Sequence, residues 1–340
     1  MLALKVGKKL AQKAKEELVA LKALAPGLKA VRAGEFVFFP VLSKTKVSVL
    51  HSFAQKDFSR VEKVPSLKEI LSSLLAEGDA DAVSRSYDLV GDIAVLEFPK
   101  KLAGKKRAIA RALLSSNKRI KTVLGRVGGR TGIFRLKEYE WLAGEKKFET
   151  VHRESGCSFK VDLPNVFFSS RLVSERERIA SLVKNGERVL VLFAGVGPFA
   201  IVIARKKRVS VRAVELNPRA VELMRENAVL NKVAGNVTVF EGDARVFARK
   251  FGGWADRILM PAPHGSERFL GAVIANAGKG CTIHYYNLGG EKEGVFSKAL
   301  DDVSKNCAAK GRKFKILFKR RVLPYAPRVF TVCIDFKLLN

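Results

Sequence analysis

The chain has 340 residues, 47% of them apolar, and 63 Lys+Arg against 33 Asp+Glu give a net charge of +30. That length holds two or three domains, and a charge so far beyond the needs of solubility points to a polyanionic partner, nucleic acid ahead of an anionic membrane. No apolar run approaches the roughly 18 residues of a membrane span, and the lysine-bearing N-terminus lacks the apolar core of a signal peptide.

In chain order, residues 1–62 read as a small α/β module. A Lys-rich helical pattern covers Gly7–Lys22, followed by apolar/polar alternation through Glu35–Pro40 and Lys46–Leu50. Ser66–Ala76 predicts a short helix with Ser66 as N-cap and Glu69 completing a capping box, and Glu77–Ala82 a polar connector. Residues 63–171 read as a basic α+β module. Lys101–Thr150 holds fourteen Lys/Arg against four acids, whereas His51–Lys100 holds six against nine, so the charge gathers on a face. Tyr87–Glu97 reads as two strands joined by a turn and Lys105–Ser115 as a basic helix. Thr122–Arg126, Gly132–Tyr139 and His152–Val161 read as strands, and Arg126-Val-Gly-Gly-Arg130 as a turn flanked by guanidiniums.

From residue 172 onward strand and helix patterns alternate. Strands are predicted at Arg188–Phe193, Val209–Glu215, Asn236–Glu241, Asp256–Met260 and Cys281–Tyr286, with Pro218 in the first helical turn after Asn217. Two further strands, Lys313–Phe318 and Arg328–Phe336, are joined by Leu-Pro-Tyr-Ala-Pro, which implies an antiparallel hairpin. Five β/α units plus a terminal hairpin give a seven-stranded Rossmann-like sheet of the class I S-adenosylmethionine methyltransferase type, preceded by two smaller α/β (α+β) domains.

Within that segment Phe193-Ala-Gly195-Val-Gly197-Pro-Phe199 follows an apolar strand, and Glu215 ends the next one, twenty residues after Gly195. Glycines let a backbone approach an adenosine cofactor, and an acid at the adjacent strand tip accepts from its ribose hydroxyls. Pro198 lacks the N–H that a pyrophosphate would seek at the helix start, which favours S-adenosylmethionine over NAD. Asp243 suits either an adenine amino group or a helix N-cap. The loop Pro261-Ala262-Pro263 suits either a target nitrogen or a plain strand-to-helix turn. Cys157, Cys281, Cys307 and Cys333 are scattered without a CxxC, and His152, His264 and His284 lack metal-ligand spacing. No metal is expected; the thiols read as buried small residues in a reducing cytoplasm, and His284 as a hydrogen-bonded core residue.

The chain resembles the archaeal and eukaryotic tRNA guanine-37 N1-methyltransferases over nearly its whole length. The resemblance rests on Ser86–Ala94, Lys121-Thr-Val-Leu124, Gly132-Ile-Phe-Arg135, His152–Asp162, Val166–Leu172, Glu175-Arg176 and Phe193–Phe199, together with Ile283-His-Tyr-Tyr286 and Tyr325-Ala-Pro-Arg328. It implies a small N-terminal domain touching the outer corner of tRNA (1–62), a middle RNA-binding domain that contributes Arg135 (63–171) and the catalytic domain (172–340). It also implies Glu175 as general base, Arg135 over the guanine carbonyl, and Arg176, Phe193, Glu215, Leu216, Asp243, Ala244 and Pro261 at the donor. Two departures stand out: Val191 replaces an acid common two residues before Phe-Ala-Gly, and Pro-Ala-Pro replaces Asn-Leu-Pro at 261–263.

The chemistry explains why these residue types are needed. A sulfonium methyl is already activated, so the protein must align it and remove the guanine N1 proton. A carboxylate (Glu175) and a guanidinium (Arg135) answer the leaving proton and the charge that builds on O6. By residue pattern alone, Glu175 reads as one member of a charged helix face and Arg135 as a phosphate contact. Phe167, Phe168 and Tyr139 are candidates to stack on an unstacked base or to pack in the core. Pro263 is expected at the substrate, Arg126 and Arg130 at phosphates, and any Mg²⁺ requirement through the tRNA fold. A monomer acting on tRNA with S-adenosylmethionine is the first reading. Behind it stand aminocarboxypropyl or methyl transfer to a tricyclic wybutosine-type guanosine, an RNA-binding protein with a vestigial cofactor fold, and a nicotinamide dehydrogenase, which leaves the charge unexplained.

Overall fold

The computed structural model describes residues 1–60, 67–76, 79, 83 and 87–340. The expected Ser66 cap lies outside these residues, as does most of the Glu77–Ala82 connector. The chain forms two compact units, Met1–Ser66 and Leu67–Asn340, so the expected middle and catalytic segments pack within one body.

In the first unit, β1 (Leu2–Gly7), β2 (Val31–Ala33), β3 (Phe36–Pro40) and β4 (His51–Gln55) form an antiparallel sheet in the order β2-β3-β1-β4. Helix α1 (Ala11–Ala20) buries Ala14 and Leu18 against Leu4, Val6, Val37 and Phe39. The helix expected from Gly7 therefore starts later. Leu2–Gly7 is instead an inner strand, because pairing with both β3 and β4 satisfies its backbone in a way no local signal shows.

The second unit opens with α2 (Leu67–Ser72) and a mixed sheet of β5 (Tyr87–Val90), β6 (Ile93–Leu96), β7 (Thr122–Thr131) and β8 (Leu136–Gly144). Helix α3 (Lys106–Ser116) is the crossover that lets β6 and β7 run parallel, and it buries Ile109 and Leu113 against the sheet. Arg126–Arg130 is not a turn: it lies inside β7, with a register shift between Val127 and Arg130, and the chain reverses at Gly132–Arg135. The segment His152–Val161 is two strands rather than one, β9 (Glu149–Glu154) and β10 (Cys157–Asp162), divided at Ser155 and Gly156, which both take positive φ.

After α4 (Val173–Leu182) comes the seven-stranded sheet, ordered β13-β12-β11-β14-β15-β17-β16. Its parallel strands are β11 (Arg188–Leu192), β12 (Ser210–Glu215), β13 (Val237–Glu241), β14 (Arg257–Met260) and β15 (Thr282–Gly290). The antiparallel pair is β16 (Phe314–Ala326) and β17 (Val329–Leu338). Leu323–Ala326 belongs to β16 rather than to the turn, which falls at Pro327–Arg328, and Pro324 is tolerated there because β16 is an edge strand.

Successive residues of β11 face opposite ways and define two layers. Val189 and Val191 pack with α4, α5 (Pro198–Lys206) and α6 (Pro218–Leu230). Leu190 and Leu192 pack with α7 (Ala244–Lys250), α8 (Glu267–Asn276) and α9 (Ser297–Ala309). The β9–β10 hairpin joins the first layer through Cys157, Phe159 and Val161. Two amides fasten it: Asn227 of α6 exchanges hydrogen bonds with the backbone of Lys160, and Asn231, at the C-cap of α6, with that of Ser158, as a neighbouring strand would. Because β12 and β14 flank β11 on opposite sides, the sheet has its crevice at the carboxyl ends of β11 and β14, where such folds take ligands.

Candidate active site

A cavity of about 430 Å³ opens at that crevice. Strand β11 delivers the chain into a tight path in which Phe193, Gly195 and Gly197 all have positive φ. The two glycines serve different ends. Gly195 lines the cavity, and its N–H donates to Glu215 Oε2 at 2.7 Å. Gly197 starts α5 away from the cavity, where a Cβ would come within 2.8 Å of Met224 Cγ. Glu215 also accepts from the N–H groups of Leu216 and Asn217, both at 2.9 Å, so three backbone donors fix its carboxylate before any ligand arrives. Leu216 and Ala244 line the same cavity.

Asp243 caps α7 by accepting from Arg245 N–H at 2.7 Å, and it also lines the cavity. Hydrogen bonds from the Arg245 side chain hold its carboxyl below the usual carboxylate range. Phe193 and Phe269 meet edge to face at 5.0 Å and give the cavity an apolar wall. The loop after β14 supplies Pro261, Ala262 and Pro263, and the β7–β8 turn supplies Ile133, Phe134 and Arg135. Arg135 itself sits at φ +55°, its N–H closing the turn onto Gly132 O. Thus Arg135, Phe193, Gly195, Glu215, Leu216, Asp243, Ala244, Pro261 and Pro263 come together.

The remaining expected residues lie elsewhere. Arg176 is buried beneath the site, bonded through Nη1 to both Glu154 oxygens at 2.5 and 2.6 Å and through Nη2 to Ser169 O, so it ties α4 to the β9–β10 hairpin. Phe168 turns inward, edge to face with His152 and under the Arg176 guanidinium. Its neighbour Phe167 is the aromatic that lines the cavity, since successive side chains here diverge. Arg126 is spent on Asp88 and Glu97 rather than presented outward. Of Arg130 only the backbone is described. Tyr139 packs against the core.

Glu175 is fully buried and lines neither this cavity nor a smaller one of about 60 Å³ beside it. Its Oε1 accepts from Arg178 Nη2 at 2.7 Å and from the Tyr286 hydroxyl at 2.6 Å, and its Oε2 accepts from Arg178 Nε at 3.0 Å. Arg320 Nε stands 3.4 Å from Oε2. The smaller cavity is lined by Tyr286 together with Phe199, Leu323, Tyr325 and Thr331, and it shares Phe167, Pro261 and Pro263 with the larger one.

From Glu175 a buried polar chain runs down the sheet. Arg178 bonds Asp335 at 2.5 Å, Asp335 accepts from His284 Nδ1 at 2.6 Å, and Arg257 donates to His284 Nε2 at 2.7 Å while pairing with Glu187. An arginine only donates, so Nε2 is the acceptor and Nδ1 carries the proton. Burial keeps His284 neutral by lowering its pKa, against the pull of Asp335. Burial alone would raise the Asp335 carboxyl, but the bonds from His284 and Arg178 hold it well below the usual range. His284, Cys333 and Asp335 cluster within 4.8 Å, yet two guanidiniums already occupy their acceptors, which disfavours a metal there. All four cysteines are buried, and burial pushes the Cys281 thiol up to about 12 and Cys307 to about 11, which suits packing rather than reactivity.

The sequence reading missed Arg178, Asp335 and Phe269, and it missed that Tyr286 stands between Glu175 and the smaller cavity. Arg178 and Asp335 are 157 residues apart, so nothing local marks the pair. Among the described residues no helix is long and apolar enough to cross a membrane.

Comparison with known proteins agrees with this geometry. The TRM5/TYW2 methyltransferase domain matches residues 150–317, the TYW2 N-terminal domain 67–147 and the tRNA methyltransferase 5 N-terminal domain 3–49. The chain is 35% identical to tRNA (guanine(37)-N(1))-methyltransferase Trm5b of Pyrococcus abyssi over 99% of both chains, and superposes on the crystal structure of that protein with a TM-score of 0.74 over all of both. A structure of aTrm5 in complex with tRNALeu matches at 29% identity and TM-score 0.72, again over all of both chains. Methanocaldococcus jannaschii TYW2 in complex with AdoMet matches at 26% identity and TM-score 0.57, covering 75% of this chain and all of its own. With a fold, a strand-tip cavity and a full-length likeness of this kind, the chain belongs to the TRM5/TYW2 family of methyltransferases.

Proposed function

We propose that this protein transfers the methyl group of S-adenosylmethionine to N1 of guanosine 37 in tRNA. The observation that carries the reading is the meeting of Arg135, from the β7–β8 turn, with Glu215, Gly195 and Asp243 around one cavity. Glu215 holds the donor ribose, Asp243 and the Ala244 backbone face the adenine, and Phe193 and Phe269 shield the ring system. The donor supplies an activated methyl; the chain aligns it and manages one proton and one developing charge. Arg135 stabilises the charge that gathers on O6 as N1 loses its proton, and Glu175 is where that proton ends. The base leaves its stack to enter between Phe167 and the Pro261–Pro263 loop.

The tRNA body lies against exposed cations of the middle segment, Arg107, Arg111, Lys118, Arg119 and Lys121, and against Lys319 and Arg321 of β16. Any Mg²⁺ dependence belongs to the fold of the tRNA, and the working form is a monomer in the cytoplasm. Single-turnover transfer of labelled methyl to tRNA transcripts tests this reading: a transcript with guanosine 37 accepts label and one with adenosine 37 does not. Equal labelling of both would reject it.

A second reading, transfer of a methyl or aminocarboxypropyl group to a tricyclic guanosine derivative, draws support from the TYW2-type match over 67–147. Favouring N1 methylation of guanosine are the match to the tRNA methyltransferase 5 N-terminal domain over 3–49 and the end-to-end alignment with Trm5b.

A further inference from the structure

We propose that Tyr286 is a catalytic residue of this enzyme, its phenol passing the guanine N1 proton on to Glu175. The inference rests on the assignment of Glu175 as the proton's destination, and adds the route. Glu175 is fully buried and reaches neither cavity, and its carboxylate is already engaged by Arg178 on both oxygens. Tyr286 bridges the gap. It lines the small cavity that adjoins the donor cavity across Phe167, Pro261 and Pro263, and its hydroxyl donates to Glu175 Oε1 at 2.6 Å. Its position is fixed from two sides: Ser266 Oγ bonds its backbone oxygen at 3.0 Å, and its ring meets Phe199 edge to face at 6.1 Å. The adjacent Tyr285 makes a useful contrast. It is equally buried on the opposite face of the sheet, and its hydroxyl bonds Asp302, away from both cavities.

The step balances without any further reactant. The N1–H bond breaks as the phenolic oxygen takes that proton, and the phenol's own O–H bond breaks as Glu175 takes the second. The N1 electron pair forms the bond to the methyl carbon while the carbon–sulfur pair stays on sulfur. The products are an N1-methylated base, the thioether of the donor, a neutral tyrosine and a protonated Glu175. Burial pushes the Tyr286 phenol well above its ordinary pKa, so a free phenolate is disfavoured and both transfers must run together.

The test is single-turnover methyl transfer by Y286F on an unmodified tRNA transcript, from neutral to alkaline pH, with S-adenosylmethionine and tRNA affinities measured on the same preparation. The expected result is a loss of about 100-fold or more at neutral pH, unchanged affinities, and recovery as alkaline solution removes the N1 proton directly. E175Q should share that profile, and the double variant should be no slower than the slower single one. Y286F at the wild-type rate beside a slow E175Q would overturn the relay and leave Glu175 as a direct base. E175Q at the wild-type rate would instead overturn the Glu175 assignment. A Y286F enzyme slow at every pH, or weak in binding either ligand, would reduce the tyrosine to packing. Should Y286F not fold, difluorotyrosine at position 286 keeps ring and hydroxyl but makes the hydroxyl more acidic. The relay then predicts a shifted pH profile, and an unshifted one overturns it.

Discussion

On the donor side of the cavity the ribose-facing pair comes from one β–α–β unit: Gly195 and Glu215 stand twenty residues apart and are joined by a hydrogen bond. On the acceptor side Glu175 and Tyr286 stand 111 residues apart, and Arg135 arrives from a different sheet. Glu215 on the donor side is held by three backbone N–H groups, which no side-chain substitution removes. The acceptor side is held by side chains that hold one another, Glu175 by Arg178, Arg178 by Asp335, and Asp335 by His284. Ligand binding should therefore tolerate change on the acceptor side, whereas turnover should not.

The largest expected effect comes from Arg135→Ala. Removing a donor aimed at developing oxyanion charge costs on the order of 10²–10³ in kcat. Single-turnover rates should show that loss with the affinity for S-adenosylmethionine near wild type; an equal loss in donor affinity would erase the division between the two sides. Glu215→Ala should do the reverse, weakening donor affinity by about 10- to 100-fold, as expected for lost hydrogen bonds to a charged acceptor. Equilibrium titration with the donor checks it, and an unchanged affinity would place the ribose elsewhere.

A smaller effect tests the buried chain. His284 is kept neutral in the fold, so the unfolded protein takes up a proton below about pH 6.5 that the native state refuses. The stability tied to this residue is complete above that pH and falls as pH drops, by at most about 1.4 kcal/mol per pH unit for one group. Urea unfolding at neutral and mildly acidic pH should show a shallower decline for His284→Gln than for wild type. Parallel declines would remove His284 as the cause. Smallest of all is the RNA surface. Arg107→Ala should lower the salt slope of tRNA binding by about one contact, while Arg126→Ala, already paired with Asp88 and Glu97, should leave the slope unchanged. The opposite pattern would mean that Arg126 exchanges its carboxylates for phosphate.

The same contrast governs what the sequence disclosed. The strand, the two-glycine turn, Glu215 and the Asn217–Pro218 helix start are all local, and each is found where the pattern predicts it. Arg135 and Glu175 were legible only through the family motifs that contain them; by residue pattern they are a loop cation and a member of a charged helix. Phe167 and Phe168 are equal candidates in the sequence because two adjacent aromatics look alike until the backbone path sorts one inward and one toward the cavity. Arg178, Asp335 and the inner strand β1 had no local signal, since each is defined by a partner distant in the chain.

The central claim is methyl transfer to a guanine ring nitrogen, and identification of both products tests it most directly. After incubation of unmodified tRNA with S-adenosylmethionine, nucleoside mass spectrometry should find 1-methylguanosine at position 37 together with S-adenosylhomocysteine. An aminocarboxypropyl adduct released with 5′-methylthioadenosine, or tRNA left unmodified beside a donor-bound enzyme, would contradict it.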